Sequence, residues 1–154
     1  MIYSLTFHIP GQKEKPVTGS MLLSFRWEGE GDLPLDFQGK VLSVKINKKC
    51  LLAECRSEHI IIPAKKLHKG WNTVSVDFIS EDHALNRNGD YLYTLFVPDH
   101  ARSVFPCFDQ PDLKAQFLLT LHIPKGWSAI SNGAGTRDIL RVDLTAEVTF
   151  RRSD

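Results

Sequence analysis

The stretch Ala101–Phe117 constrains this chain more than any other part of the sequence. It places two prolines, two aspartates, a cysteine and several phenylalanine rings in one short interval. Pro106 and Pro111 each fix their own φ angle and favour an extended conformation for the residue before them. We therefore predict a rigid, non-repetitive loop. Three of its side chains are too apolar for a solvated tip, so the loop is expected to pack against the rest of the protein: Phe105, Cys107 and Phe108.

The polar residues of this stretch suit a tight turn. Asp109 and Asp112 can accept hydrogen bonds from nearby backbone N–H groups, as aspartates in turns commonly do. Cys107, in the apolar run Phe105–Phe108, is expected to be a small buried thiol. On physical grounds alone, the stretch is a well-packed connection between two strands.

Length and charge exclude several classes of protein. A chain of 154 residues is most simply one domain and can bury a core without disulfides. Its formal net charge of +1 argues against a nucleic-acid partner. No apolar run approaches the roughly 20 residues of a membrane-spanning helix. Met1–Pro10 alternates like a strand and is unlike a signal peptide, so a cytoplasmic and an exported parent protein are both compatible with the sequence.

Alternating apolar residues predict β-strands along most of the chain, and no segment has a strong helical pattern. The predicted strands are Tyr3–Ile9, Ser20–Trp27, Leu33–Phe37, Val41–Asn47, Leu51–Ala53, His59–Ile62, Trp71–Phe78, Ala115–Ile123 and Ala129–Asn132. Tyr91–Val97 is apolar enough for a strand or a buried crossing, and Ser80–Asp90 is expected to be loop. Many short strands with regular turn signals predict an all-β fold, a β-sandwich or a saddle-shaped stack of mostly antiparallel sheets.

Two details of this pattern can be checked directly. Leu42, Val44 and Ile46 alternate and are expected to point inward, with a hairpin turn at Asn47–Lys49. Residues 140–150 keep one apolar face and form either one long strand or two that meet at Thr145-Ala146. No turn or cap follows, so we expect the chain to be a piece of a longer protein.

The central stretch resembles a family signature. Ala101-Arg102, Phe105-Pro106-Cys107-Phe108-Asp109-Gln110-Pro111 and Lys114-Ala115-Gln116-Phe117 are similar to the conserved block of the M1 (gluzincin) zinc aminopeptidases, and the resemblance extends loosely over most of the chain. In that family the block lies in the amino-terminal β-sandwich domain, upstream of the zinc centre. The resemblance implies a single β-sandwich domain over residues 1–154, with the signature loop at the interface to a downstream catalytic domain.

The resemblance implies no catalytic residue in this chain. M1 enzymes hold zinc with H-E-x-x-H on a helix and a distal Glu, and none of the six histidines here stands in that pattern. Zinc, and the peptide whose N-terminal bond is hydrolysed, would therefore belong to the full-length protein. The expected partner of this chain is its own catalytic domain, which it would cover while shaping the substrate cleft.

One position departs from the family. There, a Gln or Glu five residues before the Arg of the block holds the free α-amine of the substrate, but the corresponding residue here is Val97, which cannot accept a hydrogen bond. Asp99 is a possible replacement. Alternatively, the catalytic domain alone binds the amine, or the parent is a non-catalytic relative that serves as a protein-interaction scaffold.

The sequence also leaves open two other kinds of site, one for zinc and one for a carbohydrate. Cys50, Cys55, His59 and His68 have spacings that fit no standard zinc site but allow a crude one, and Cys50 and Cys55 could form a disulfide in an oxidising compartment. Tyr91, Tyr93 and Trp127 could form a sugar-stacking platform, which would make the chain a carbohydrate-binding sandwich.

Overall fold

The computed structural model describes residues 1–110, 112–139 and 145–150. Within these ranges the strands are β1 (Ile2–His8), β2 (Thr18–Trp27), β3 (Leu33–Asp36), β4 (Lys40–Ile46), β5 (Lys49–Leu51), β6 (Glu54–Arg56), β7 (His59–Ile62), β8 (Gly70–Ile79), β9 (Leu85–Arg87), β10 (Leu92–Thr94), β11 (Gln116–Pro124), β12 (Gly135–Ile139) and β13 (Thr145–Phe150). Two short 3-10 turns lie at Ala64–Lys66 and Ala101–Ser103. The all-β, mostly antiparallel fold is confirmed.

One large sheet carries most of the strands, in the order β12-β13-β11-β1-β2-β8-β4-β5. All neighbouring pairs are antiparallel except β1 and β11, which run parallel with Leu5 opposite Leu119. A parallel pair needs a long crossover connection, and the chain between β1 and β11 supplies it. This crossover contains two smaller sheets, β3-β7-β6 and β9-β10, and the part of the Ala101–Phe117 stretch that precedes β11.

Period-two alternation puts the apolar side chains of the central strands on one face. Tyr3 and Leu5 of β1, Leu23 of β2 and Val74 of β8 are all almost completely buried. A three-stranded sheet, β3-β7-β6, contributes Leu35, Ile60 and Ile62 to the same hydrophobic core. The core therefore lies between the large sheet and this small sheet, as the sandwich prediction requires.

The structure corrects the prediction for Leu42, which is 54% exposed although Val44 and Ile46 are buried. The pairing of β4 with β8 shifts between Val41 and Ser43, so Leu42 is the extra residue of a β-bulge. A bulge interrupts the alternation of side chains, and a count of every second residue fails across it. The predicted hairpin turn is confirmed, since Asn47 and Lys48 have φ angles of 48° and 68° and join β4 to β5.

Short strands were predicted less well than long ones. Leu51–Ala53 does not pair with the strand at His59–Ile62, because β6, at Glu54–Arg56, takes that place. The loop predicted at Ser80–Asp90 contains β9, and among the described strands β9 pairs with β10 alone. Ala129–Asn132 is irregular, and β12 follows it instead.

In the segment predicted over residues 140–150, the structure describes β13, at Thr145–Phe150, which pairs with β11 and with β12. Residues 140–144, which belong to the predicted final segment, lie outside the described residues.

Candidate functional site

The signature loop begins with a 3-10 turn that is held by its own backbone hydrogen bonds. The backbone N–H groups of Val104 and Phe105 both donate to the carbonyl oxygen of Ala101, at 2.9 and 3.1 Å. The N–H of Arg102 donates to Oδ2 of Asp109 at 3.0 Å, which confirms the turn role predicted for that aspartate. The carboxylate thus ties the start of the loop to its middle.

Asp36, at the end of β3, anchors the centre of the loop. Its N–H donates to the carbonyl of Cys107 at 2.8 Å, and the N–H of Cys107 donates back to the carbonyl of Asp36 at 3.0 Å. Oδ2 of Asp36 accepts a further bond from the N–H of Asp109 at 2.9 Å, and its Oδ1 lies 2.8 Å from Nδ1 of His59. Sequence reasoning missed this residue, and its only signal was an aspartate at a strand end before a glycine turn.

Aromatic packing holds the loop against the large sheet. The hydroxyl of Tyr3 accepts a hydrogen bond from the N–H of Phe108 at 3.0 Å. The Tyr3 ring stacks on Phe117, with centroids 5.1 Å apart, and meets the edge of Phe105 at 6.2 Å. Phe105 and Cys107 are each 5% exposed, and Phe108 is half-buried, as predicted.

Burial also raises the pKa values of two groups at the loop, the thiol of Cys107 and the phenol of Tyr3. Loss of solvation, reinforced by the nearby carboxylates of Asp109 and Asp36, raises the pKa of the Cys107 thiol far above its ordinary value. Burial likewise raises the pKa of Tyr3, although the hydrogen bond from Phe108 acts in the opposite direction. Because the thiolate is the reactive form of cysteine, Cys107 is suited to packing and not to nucleophilic chemistry.

Arg102 joins the loop to the small sheet. Its Nη1 donates to Oδ2 of Asp99 at 3.0 Å, and its Nε lies 3.7 Å from Oε2 of Glu58. Its carbonyl accepts a bond from the N–H of Gln38 at 2.9 Å. The carboxylate of Asp99, considered above as an anchor for a substrate amine, is therefore already engaged by a guanidinium.

The remaining signature residues differ in exposure. Ala101 is half-buried and Pro106 is buried, whereas Lys114 is exposed. Pro111 lies outside the described residues. The structure therefore brings most of the signature together as one braced loop.

Directly before this loop, four apolar side chains lie open to solvent. Tyr91, Tyr93, Leu95 and Val97 are 53%, 55%, 57% and 75% exposed, and we call them the apolar strip. They occupy alternate positions before, on and after β10, whose only pairing partner among the described strands is β9. Of the two alternatives predicted for Tyr91–Val97, the strand is confirmed at Leu92–Thr94 and the buried crossing is wrong.

The two alternative sites are not assembled. Within residues 1–110, 112–139 and 145–150, no group of three or more His, Cys, Asp or Glu side chains is arranged to hold a metal ion. Cys50 and Cys55 are both exposed and free. The rings of Tyr91 and Tyr93 are neighbours, 6.2 Å apart, but Trp127 packs against a separate cluster that includes Ile123 and Val148. In the described part of the chain, no helix is long and apolar enough to cross a membrane.

The part of the chain that contains this loop matches a known protein family. Residues 78–153 match the family model described as the Peptidase M1 N-terminal domain. Aminopeptidase N of Streptomyces lividans is 57% identical over 42 residues, which are 27% of this chain and 5% of that protein. The chain therefore spans only a small part of the length of the curated relatives it matches.

Solved structures show the same fold over almost the whole chain. Legionella pneumophila aminopeptidase A, in complex with aspartic acid, has a TM-score of 0.85 at 18% identity and covers 97% of this chain and 19% of its own. An M1 zinc metallopeptidase from Deinococcus radiodurans has a TM-score of 0.82 at 17% identity, with 97% and 37% covered. The matched region in each is one part of a considerably longer chain.

Proposed function

We propose that this chain, which carries the N-terminal domain of the M1 peptidases, is the non-catalytic domain of a zinc aminopeptidase and forms one wall of its substrate cleft. The observation that carries this proposal is the apolar strip, which is exposed directly before the signature loop. Hydrogen bonds to the side chains of Asp109, Tyr3 and Asp36 hold that loop in place. A strip of apolar side chains on a rigid support is typical of a surface that another domain covers.

The loop and the strip have separate roles in this proposal. The loop fixes the segment that precedes it, because the N–H of His100 donates to the carbonyl of Phe96 and Arg102 binds Asp99. The N–H of Leu95 also donates to the carbonyl of Ala84 at 3.1 Å, which ties the strip to the body of the fold. The strip then presents its side chains to the catalytic domain that we expect downstream.

Zinc would be held by that catalytic domain, where it would polarise the scissile carbonyl and activate water. The residues described here would contribute the cleft wall and the position of the substrate's N-terminal end. The peptide substrate would therefore contact this chain near Val97, the most exposed residue of the strip.

A second candidate function is a non-catalytic interaction scaffold of the same family. It is favoured by Val97, whose side chain has no hydrogen-bonding atom at the position where the family holds the substrate's amine. In that case the strip would have the same covering partner, but the partner would have lost its zinc ligands.

The proposed interface is tested by substituting one exposed leucine of the strip and one elsewhere. Leu95→Asp is introduced in the chain, which is then titrated with the separately expressed catalytic domain, and binding is followed by calorimetry. Burying a leucine contributes about 1.5–3 kcal/mol, so we expect the affinity to fall by about tenfold or more. Aminopeptidase activity of the full-length variant should fall in parallel.

Leu42→Asp is the matched control, because Leu42 is as exposed as Leu95 (54% against 57%) but lies at the bulge in β4. We expect it to leave the affinity within about twofold of the unmodified chain. Equal losses for the two variants would show that the strip is not the interface.

A further inference from the structure

A cavity of about 300 Å³ lies at the edge of the large sheet, away from the strip and the signature loop. Three lysines, Lys49, Lys65 and Lys66, are among the residues that line it, together with His68. Ile46 and Leu51 provide apolar surface. Among the described residues that line the cavity there is no carboxylate.

The lysines of this cavity are not neutralised by neighbours. Within the described part of the chain, the ion pairs use other cations, and none involves Lys49, Lys65 or Lys66. Lys48 and Lys69, which flank the same two segments, are exposed and also lack an ion pair there. Since the whole chain has a formal net charge of only +1, this is a local concentration of positive charge.

The two segments that carry these cations are held together by a buried amide network. Asn72 is 1% exposed, and its Oδ1 accepts bonds from Nδ2 of Asn47 at 2.9 Å and from the N–H of His68 at 3.1 Å. Its Nδ2 donates to the carbonyls of His68 and Gly70 at 2.7 and 3.1 Å. Every donor and acceptor of this side chain is used, so the hairpin turn and the His68 segment have a fixed relative position.

The hairpin turn is also held by a hydrogen bond from β8. Oδ1 of Asn47 accepts a hydrogen bond from the N–H of Thr73 at 2.9 Å. Nδ1 of His68 lies 3.2 Å from the carbonyl oxygen of Lys69, which orients the ring. The hairpin turn and the His68 segment, which both contribute to the cavity lining, are therefore held in a fixed arrangement, and a fixed backbone lowers the ordering cost of binding.

We propose that this cavity is a binding site for a small polyvalent oxyanion, namely a phosphate or pyrophosphate group. Lysine ammoniums are donors only and form short charge-assisted hydrogen bonds with phosphate oxygens. Several of them around one cavity select for an anion with more than one negative charge. The volume lies at the lower end of the range for small-ligand sites, and the apolar surface of Ile46 and Leu51 would contact an organic group attached to the phosphate.

The site is tested by titrating the full chain, labelled with ¹⁵N, with pyrophosphate at constant ionic strength. We expect saturable shifts of backbone amide signals centred on residues 46–51 and 64–70. The double variant Lys65→Gln/Lys66→Gln should bind about tenfold more weakly or worse, because it loses two charge-assisted contacts. Lys49→Gln, on the facing hairpin, should weaken binding in the same direction.

The matched control is Lys13→Gln/Lys125→Gln, which removes the same charge from exposed lysines outside the cavity. Its affinity should stay within about twofold of the unmodified chain, since only general attraction is reduced. Equal weakening in the two double variants, or identical shifts with sodium chloride, would show general screening and overturn the proposal. Tighter binding of phenyl phosphate than of inorganic phosphate would assign an organic phosphate, and equal affinity would assign the free anion.

Discussion

At the residue scale, Cys107 and Tyr3 are two titratable groups packed beneath the signature loop, and burial stabilises the neutral form of each. The pKa of the Cys107 thiol is raised above its ordinary 9.0, and that of the Tyr3 hydroxyl above its ordinary 10.0. The folded state therefore holds both protons more tightly than the unfolded state. Their contribution to stability is fully present below the unfolded pKa values and is lost as the pH rises through the folded ones.

We predict that the free energy of unfolding declines as the pH rises above about 9, and that Cys107→Ala reduces this decline. Each group contributes at most about 1.4 kcal/mol per pH unit, so the difference in slope between the variant and the unmodified chain should approach that value. Urea denaturation at pH 7, 9 and 10 measures it. Cys50→Ala, at an exposed free thiol, is the control and should retain the original slope. An unchanged slope in Cys107→Ala would contradict the assignment.

The sequence was informative about Cys107 and uninformative about Asp36 for a physical reason. Cys107 lies in the apolar run Phe105–Phe108, so local composition already indicates burial. The bonds of Asp36 to Cys107 and Asp109 cross from β3 to a loop far along the chain. No local pattern encodes such a contact, and the same holds for Asn72, whose partners lie in two separate turns.

At the element scale, the packing of β2 against β8 depends on a residue without a side chain. A Cβ added to Gly19 would lie 2.6 Å from Cζ of Phe78 and 3.0 Å from the carbonyl oxygen of Thr6. Phe78 is completely buried and in edge contact with Phe7 and Phe37, so its ring has little room to move. Gly19 therefore provides the space that allows an aromatic ring to lie across the strand.

We predict that Gly19→Ala lowers the free energy of unfolding by about 1–3 kcal/mol through overpacking, despite the lower chain entropy of alanine in the unfolded state. The control is Gly89→Ala, where an added Cβ would have no heavy atom within 4 Å. That change should alter stability by less than about 0.5 kcal/mol. Thermal and urea unfolding of the two variants would check the difference. A Gly19→Ala protein as stable as the control would show that Phe78 relaxes freely.

Long strands followed from the sequence because their alternation persists over many residues, as in β1, β2 and β8. Short strands did not, because β6 and β9 form through tertiary pairing with β7 and β10, and their own sequences are polar. Strand β4 was predicted correctly, but the bulge at Leu42 adds one residue to it. The inward-facing positions therefore change along the strand, and the direction of the Leu42 side chain was predicted wrongly.

At the scale of the whole molecule, the exposed strip directly precedes the signature loop, and the basic cavity is lined by other residues, from the β4–β5 hairpin and the segment before β8. Val97 ends the strip, 75% exposed, at the position where the family resemblance places the acceptor for the substrate's amine. The choice between an aminopeptidase and a scaffold therefore depends on whether this position still borders a working cleft.

We predict that Val97→Gln in the full-length protein raises kcat/KM for substrates with a free α-amine by about tenfold, because the amide oxygen can accept a bond from the ammonium. Substrates whose amine is acetylated are the control and should show no gain. Val97→Leu, which changes the side chain without adding an acceptor, should leave kcat/KM near the original value. A gain confined to Gln and to free amines would place Val97 in a peptidase cleft. Absence of any turnover in all three proteins, with the strip still binding its partner, would favour the scaffold instead.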